Sequence, residues 1–113
     1  MYYWVYPNFM INRYPDSMDT NLVLPRGINQ TEVIFDFFFT GISEEDRARN
    51  LASMAISEEI QNEDAAICKS VQRGLGSRAY TSGRLSARRE AGVHLFHRLL
   101  YADLKSGSDR SDR

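Results

Sequence analysis

Asp64 is the residue whose type and placement first suggest chemistry. At about 100° per residue along a helix, Ile60, Asp64, Ile67, Cys68, Val71 and Leu75 fall in one stripe, while Glu58, Glu59, Asn62, Lys69 and Arg73 take the opposite side. A carboxylate on the apolar side of a helix is costly to bury alone, so it calls for a metal, a cation or several hydrogen-bond donors. From spacing alone a structural aspartate, held by an arginine or backbone amides, is the commoner case, and a metal ligand is the sharper one. Two histidines, His94 and His97, stand three apart on a later helical stretch. That spacing can hold a metal when a third ligand approaches, although a helical histidine pair beside apolar positions is more often packed and hydrogen-bonded. Asp64 with both histidines would make a two-His-one-carboxylate set, but nothing in the sequence brings the two helices together there. The single cysteine, Cys68, excludes an internal disulfide and any multi-cysteine zinc or iron–sulfur site, and it fits a reducing compartment.

Aromatic residues crowd the first third of the chain, among them Tyr2, Tyr3, Trp4, Tyr6, Phe9, Tyr14 and the run Phe35, Phe37, Phe38 and Phe39. Most are expected to be core, because a small sheet buries ring faces for ordinary packing reasons. Any that face a pocket would suit a quaternary ammonium ligand through cation–π attraction.

The elements that must position these residues follow from periodicity. Residues 2–14 alternate Trp4, Tyr6, Asn8, Met10 and Asn12 against Tyr3, Val5, Phe9 and Ile11, which reads as one strand bent near Pro7. Tyr14-Pro15-Asp16-Ser17 has turn chemistry, and Met18 to Leu24 makes a second extended run closed by Pro25-Arg26-Gly27. A third run, Thr31 to Phe39, sets Val33, Phe35, Phe37 and Phe39 on one face. Ser43-Glu44-Glu45-Asp46 then looks like an N-cap with an acidic first turn, opening a helical stretch that Gly74 and Gly76 close near Leu75. Residues 86–104 return to helical spacing, with Val93, Phe96, His97, Leu100 and Leu104 on one face, and residues 105–113 read as a disordered polar tail. Three antiparallel strands followed by helices predict an α+β fold, with one domain over residues 1–104.

At 113 residues with 42% apolar content the chain is one small domain or a piece of one. The 14 basic and 15 acidic residues leave a net charge of -1, so no basic field attracts nucleic acid. No apolar run approaches the roughly 18 residues of a membrane span, and Met1-Tyr2-Tyr3-Trp4 does not read as the charged and apolar opening expected of a leader. A hydrophobic strand directly after Met1 presents an unpaired edge, which leads us to expect further strands upstream.

Three stretches together resemble the choline monooxygenase branch of the Rieske-type ring-hydroxylating oxygenases: YPNFMINRY at 6–14, MDTNLVLP at 18–25 and EEIQNEDAAICKSVQRGLGS at 58–77. The order continues through RAYTSGRLS and GVHLFHRLLYADL, so the resemblance covers nearly everything but the tail. It implies the C-terminal part of the catalytic domain, in a partial helix-grip fold where an antiparallel sheet curves around a long helix. It also implies that Asp64 is the carboxylate ligand of a mononuclear non-haem Fe(II), and that the reaction is O₂-dependent hydroxylation of choline to betaine aldehyde hydrate. A ferredoxin or reductase would supply electrons, the working enzyme would be a homo-oligomer, and a plant source would place it in the plastid stroma, any other source in the cytoplasm.

The departures are as informative as the match. A Rieske [2Fe–2S] centre needs two cysteines and two histidines, and the chain has one cysteine and two histidines outside that pattern. The resemblance also puts the family's two iron-binding histidines upstream of the matched segment, so this chain alone is expected to be inactive. Lys69 stands where relatives carry an acidic residue, and the helical reading points it away from Asp64. Two other readings stay open: an oxygenase for another quaternary amine such as carnitine, and a truncated non-catalytic protein that binds intact oxygenase subunits.

Overall fold

Alternating side chains, broken by turn-forming residues, build the first half of the molecule. The computed structural model describes residues 1–111, with side chains through residue 107. Strands β1 (Tyr2–Val5), β2 (Phe9–Arg13), β3 (Ser17–Pro25) and β4 (Thr31–Phe39) form one antiparallel sheet in the order β1-β2-β3-β4. The sheet therefore has four strands where periodicity predicts three. Pro7 has no N–H to give a ladder, and Tyr6-Pro7-Asn8 makes a tight turn that places Val5 opposite Phe9. The bend near Pro7 is thus a full reversal. Because the turn preserves parity, the predicted alternation still holds on both of its arms.

Register sorts the sheet into two faces of different chemistry. One carries Tyr2 and Trp4, then Met10 and Asn12, then Asp19, Asn21 and Val23, and on β4 Val33, Phe35, Phe37 and Phe39. The other carries the apolar row Val5, Phe9, Leu22 and Ile34 beside Ile11, Met18 and Phe38. Thr20 and Asn21, on the central β3, are the buried polar residues, and no apolar side chain among the described residues is fully buried.

Helix α1 (Glu44–Leu75) starts on a complete capping box. The Ser43 hydroxyl accepts from the Asp46 N–H at 3.2 Å, and the Asp46 carboxylate accepts from the Ser43 N–H at 3.4 Å and from its hydroxyl at 2.7 Å. Glu44, Glu45 and Asp46 fill the first turn and Arg73 sits in the last, each complementing the end charge of the helix dipole. Asn50 Nδ2 donates to the Gly41 carbonyl at 2.8 Å, fixing the angle at which the chain leaves β4.

Residues 1–80 form one unit and residues 81–113 a second. In the second, α2 (Ala91–Ser111) begins later than spacing predicts. Residues 86–90 turn instead, with the Arg89 N–H bonded to the Ser86 carbonyl at 3.3 Å and the Ser86 N–H donating to the Glu90 carboxylate. The helix also carries through residues 105–111, where composition predicts a polar tail; the Ser106 hydroxyl donates to the Asp103 carbonyl at 2.9 Å inside that run. Residues 112 and 113 lie outside the described residues. The architecture is α+β, an antiparallel sheet followed by helices.

Candidate functional site

Asp64 lines a groove of about 1270 Å³ between α1 and the ends of β3 and β4. Its floor is Val23, Val33 and Phe35 on the sheet, and its roof is Gln61, Ala65, Cys68 and Gln72 on the helix. Gln72 Nε2 donates to Asn29 Oδ1 at 3.3 Å, so α1 runs back toward the start of β4 over the Phe35 face. One end is closed by Arg26 and Glu32, paired at 2.5 Å.

The helix is turned from the orientation that its apolar stripe predicts. The groove-facing line runs through Gln61, Ala65, Cys68 and Gln72, rotated by about 80° from the stripe at 100° per residue. Ile60, Ile67 and Val71 are left exposed, Ile67 at 61%. The half-buried positions of α1 are polar, namely Asp46, Asn50, Ser57 and Gln61. Asp64 consequently stands on one flank of the roof, exposed to solvent and facing the groove, rather than sealed among aliphatic side chains. Lys69 lines the same groove from the other flank, on the opposite side of the roof from Asp64. Cys68, four residues on from Asp64, is a free and exposed thiol.

His94 and His97 belong to the second unit, on α2. The His97 ring packs against Phe96 at 6.0 Å. No group of three potential metal-ligating side chains comes together among the described residues. A mononuclear iron of the two-His-one-carboxylate kind needs a facial triad, so these residues do not by themselves make an iron site; Asp64 is one carboxylate of the type such a triad uses.

Sequence reasoning misses a second polar group, on the sheet. Asn12 Nδ2 donates to Asp19 Oδ1 at 2.7 Å and to Asn21 Oδ1 at 3.0 Å, and Asn21 Nδ2 donates to the same Asp19 oxygen at 3.3 Å. The signal that could have found it is parity: Asn12, Asp19 and Asn21 all break the apolar pattern on one face of adjacent strands. Beside them, burial first and then the negative charge of Asp19 raise the Tyr14 hydroxyl above its ordinary value of 10.0.

The family model for the ring-hydroxylating alpha subunit (catalytic domain) matches residues 1–105. The chain belongs to that family. Among curated relatives, chloroplastic choline monooxygenase of Arabidopsis thaliana is 50% identical over 105 residues, covering 93% of this chain and 25% of the relative. The Beta vulgaris enzyme of the same name is 38% identical over 104 residues, and that of Atriplex hortensis 36% over 104. The chain thus spans about a quarter of the length of these relatives. No solved structure matches. No helix among the described residues is long and apolar enough to cross a membrane.

Proposed function

We propose that this chain is the segment of a choline monooxygenase-type catalytic domain that supplies Asp64 as the carboxylate ligand of a mononuclear iron, the two histidine ligands coming from outside it. The observation that carries this reading is the coincidence of two independent features. The strongest motif, residues 58–77, falls on the one helix that roofs a groove over an aromatic sheet face, and its Asp64 faces that groove with no ion pair among the described residues. The whole enzyme would hydroxylate choline at its alcohol carbon, consuming O₂, two electrons and two protons and yielding betaine aldehyde hydrate and water. Iron and a Rieske [2Fe–2S] cluster would supply the oxygen activation and electron delivery. A ferredoxin or reductase would be the donor, and the relatives' names favour the plastid stroma as the site of action.

The test is a chimeric oxygenase in which residues 1–105 replace the matching quarter of the Arabidopsis relative. Turnover of choline in preference to carnitine is the expected result. Preference for carnitine would move the substrate to another quaternary amine. Loss of all turnover in a folded chimera with an intact Rieske spectrum would favour the non-catalytic, partner-binding alternative.

A further inference from the structure

Asp19 is the one acidic side chain among the strand residues of the aromatic sheet face, and the iron-ligand reading does not use it. It sits at an intermediate depth on the central strand β3, opposite Asn12 on β2 and Phe37 on β4. Directly opposed side chains stand about 4.5–5.5 Å apart at Cβ, so the Phe37 ring borders the carboxylate on one side. On the other, Tyr2 is the register partner of Asn12, and its ring meets Tyr14 edge-on at 6.2 Å. The next row along the same face is Trp4, Met10, Asn21 and Phe35.

Two side-chain amides and the Tyr14 hydroxyl are hydrogen-bonded to the Asp19 carboxylate. Both amide donors, from Asn12 and Asn21, converge on Oδ1 of Asp19. None of the ion pairs among the described residues involves Asp19. A half-buried carboxylate oriented by amides and walled by aromatic rings has the charge and the π-faces that attract a cation too large and too weakly hydrated to need hydrogen-bond acceptors.

We propose that Asp19, bordered by Phe37, Tyr2 and Tyr14, forms a subsite for the trimethylammonium head of a quaternary amine. The proposal rests on the oxygenase reading above and deepens it by assigning the substrate's charged end. Asn21, which orients Asp19, is the register partner of Phe35, and Phe35 floors the groove that Asp64 lines. The head at Asp19 and the groove are therefore one side-chain row apart, about 7 Å along the strand. A substrate held by its cation at Asp19 would extend its alcohol end toward the Asp64 side. Asn12 and Asn21 are positioning residues in this arrangement.

The experiment titrates the anaerobic chimera with tetramethylammonium chloride and, separately, with 3,3-dimethylbutan-1-ol, the uncharged carbon counterpart of choline. Asp19→Asn is expected to weaken tetramethylammonium about tenfold or more while leaving the neutral alcohol within about twofold. Phe37→Leu, which keeps an apolar side chain and leaves the Asp19 charge in place but removes the ring, is expected to weaken tetramethylammonium several-fold and serves if the first variant folds poorly. Equal losses for both ligands, or tetramethylammonium affinity indifferent to both substitutions, would overturn the subsite. Tetramethylammonium carries only the shared cationic head. Asp19-dependent binding in a chimera that does not turn over choline would sink the choline reading alone, whereas choline turnover with Asp19-independent binding would sink this one alone.

Discussion

Gln72 Nε2 lies 3.3 Å from Asn29 Oδ1, joining the helix that carries Asp64 to the turn that opens β4. The two residues are 43 positions apart, so the bond closes a long loop and fixes where the groove roof ends. It is exposed to solvent, and an exposed side-chain bond contributes little to global stability. Gln72→Ala should change unfolding free energy by no more than about 0.5 kcal/mol. It should nevertheless speed amide exchange in the last two turns of α1, a local opening that hydrogen exchange resolves. Unchanged exchange there would mean that other contacts hold the roof.

The start of the helix depends on a carboxylate packed against a glycine. A Cβ at Gly41 would stand 2.5 Å from Asp46 Oδ2 and 2.6 Å from its Cγ, so Gly41→Ala must push Asp46 out of its capping box. Ser43→Ala removes the same cap from the other side and should cost about 1 kcal/mol in urea denaturation. The two variants together should cost little more than either alone, because both disable one motif. Simple additivity would contradict the shared cap.

Acid should reveal the same motif. The Ser43 hydroxyl, helped by the Ser43 N–H and the Arg49 guanidinium, holds the Asp46 carboxyl below the usual value of 3.8. A depressed folded value means that the contribution is fully present above the unfolded value and is lost as pH falls through the lower folded one. Helical circular dichroism should therefore drop below about pH 4, and Asp46→Asn should flatten that dependence. An acid limb of the same shape in the Asn variant would assign it to other carboxylates.

Particular residues decide how much of the fold and the site is legible in the sequence. Asp64 stands out because a carboxylate interrupts an aliphatic spacing, and the cap stands out because Ser43 comes three residues before Asp46. The extra strand is hidden because alternation runs unbroken through Tyr6-Pro7-Asn8; parity cannot tell a bend from a reversal. The facing of α1 is hidden as well. Ile60, Ile67 and Val71 define the apolar side, yet the sheet meets the side of Gln61 and Gln72. Helical periodicity reports where apolar groups lie and is silent on which surface meets them.

The second sheet face carries a prediction of its own. Val5, Phe9, Leu22 and Ile34 form one cross-strand row, in which Val5 is 48% and Ile34 38% exposed. Adjoining apolar side chains left open to water bind hydrophobic probes and partners. The 113-residue chain should enhance the fluorescence of an apolar dye, and Ile34→Lys should cut that enhancement by half or more. No change on substitution would show that the dye binds elsewhere.

Asp64 as an iron ligand is tested most directly by metal content, which does not depend on turnover. The chimera and its Asp64→Asn variant would be loaded anaerobically with Fe(II), desalted, and analysed for iron in excess of the Rieske cluster. The expected result is close to one such iron per subunit in the chimera, with most of it lost from the variant while the Rieske spectrum is unchanged. Equal mononuclear iron in both proteins would contradict Asp64 as a ligand, and with it the central role of α1.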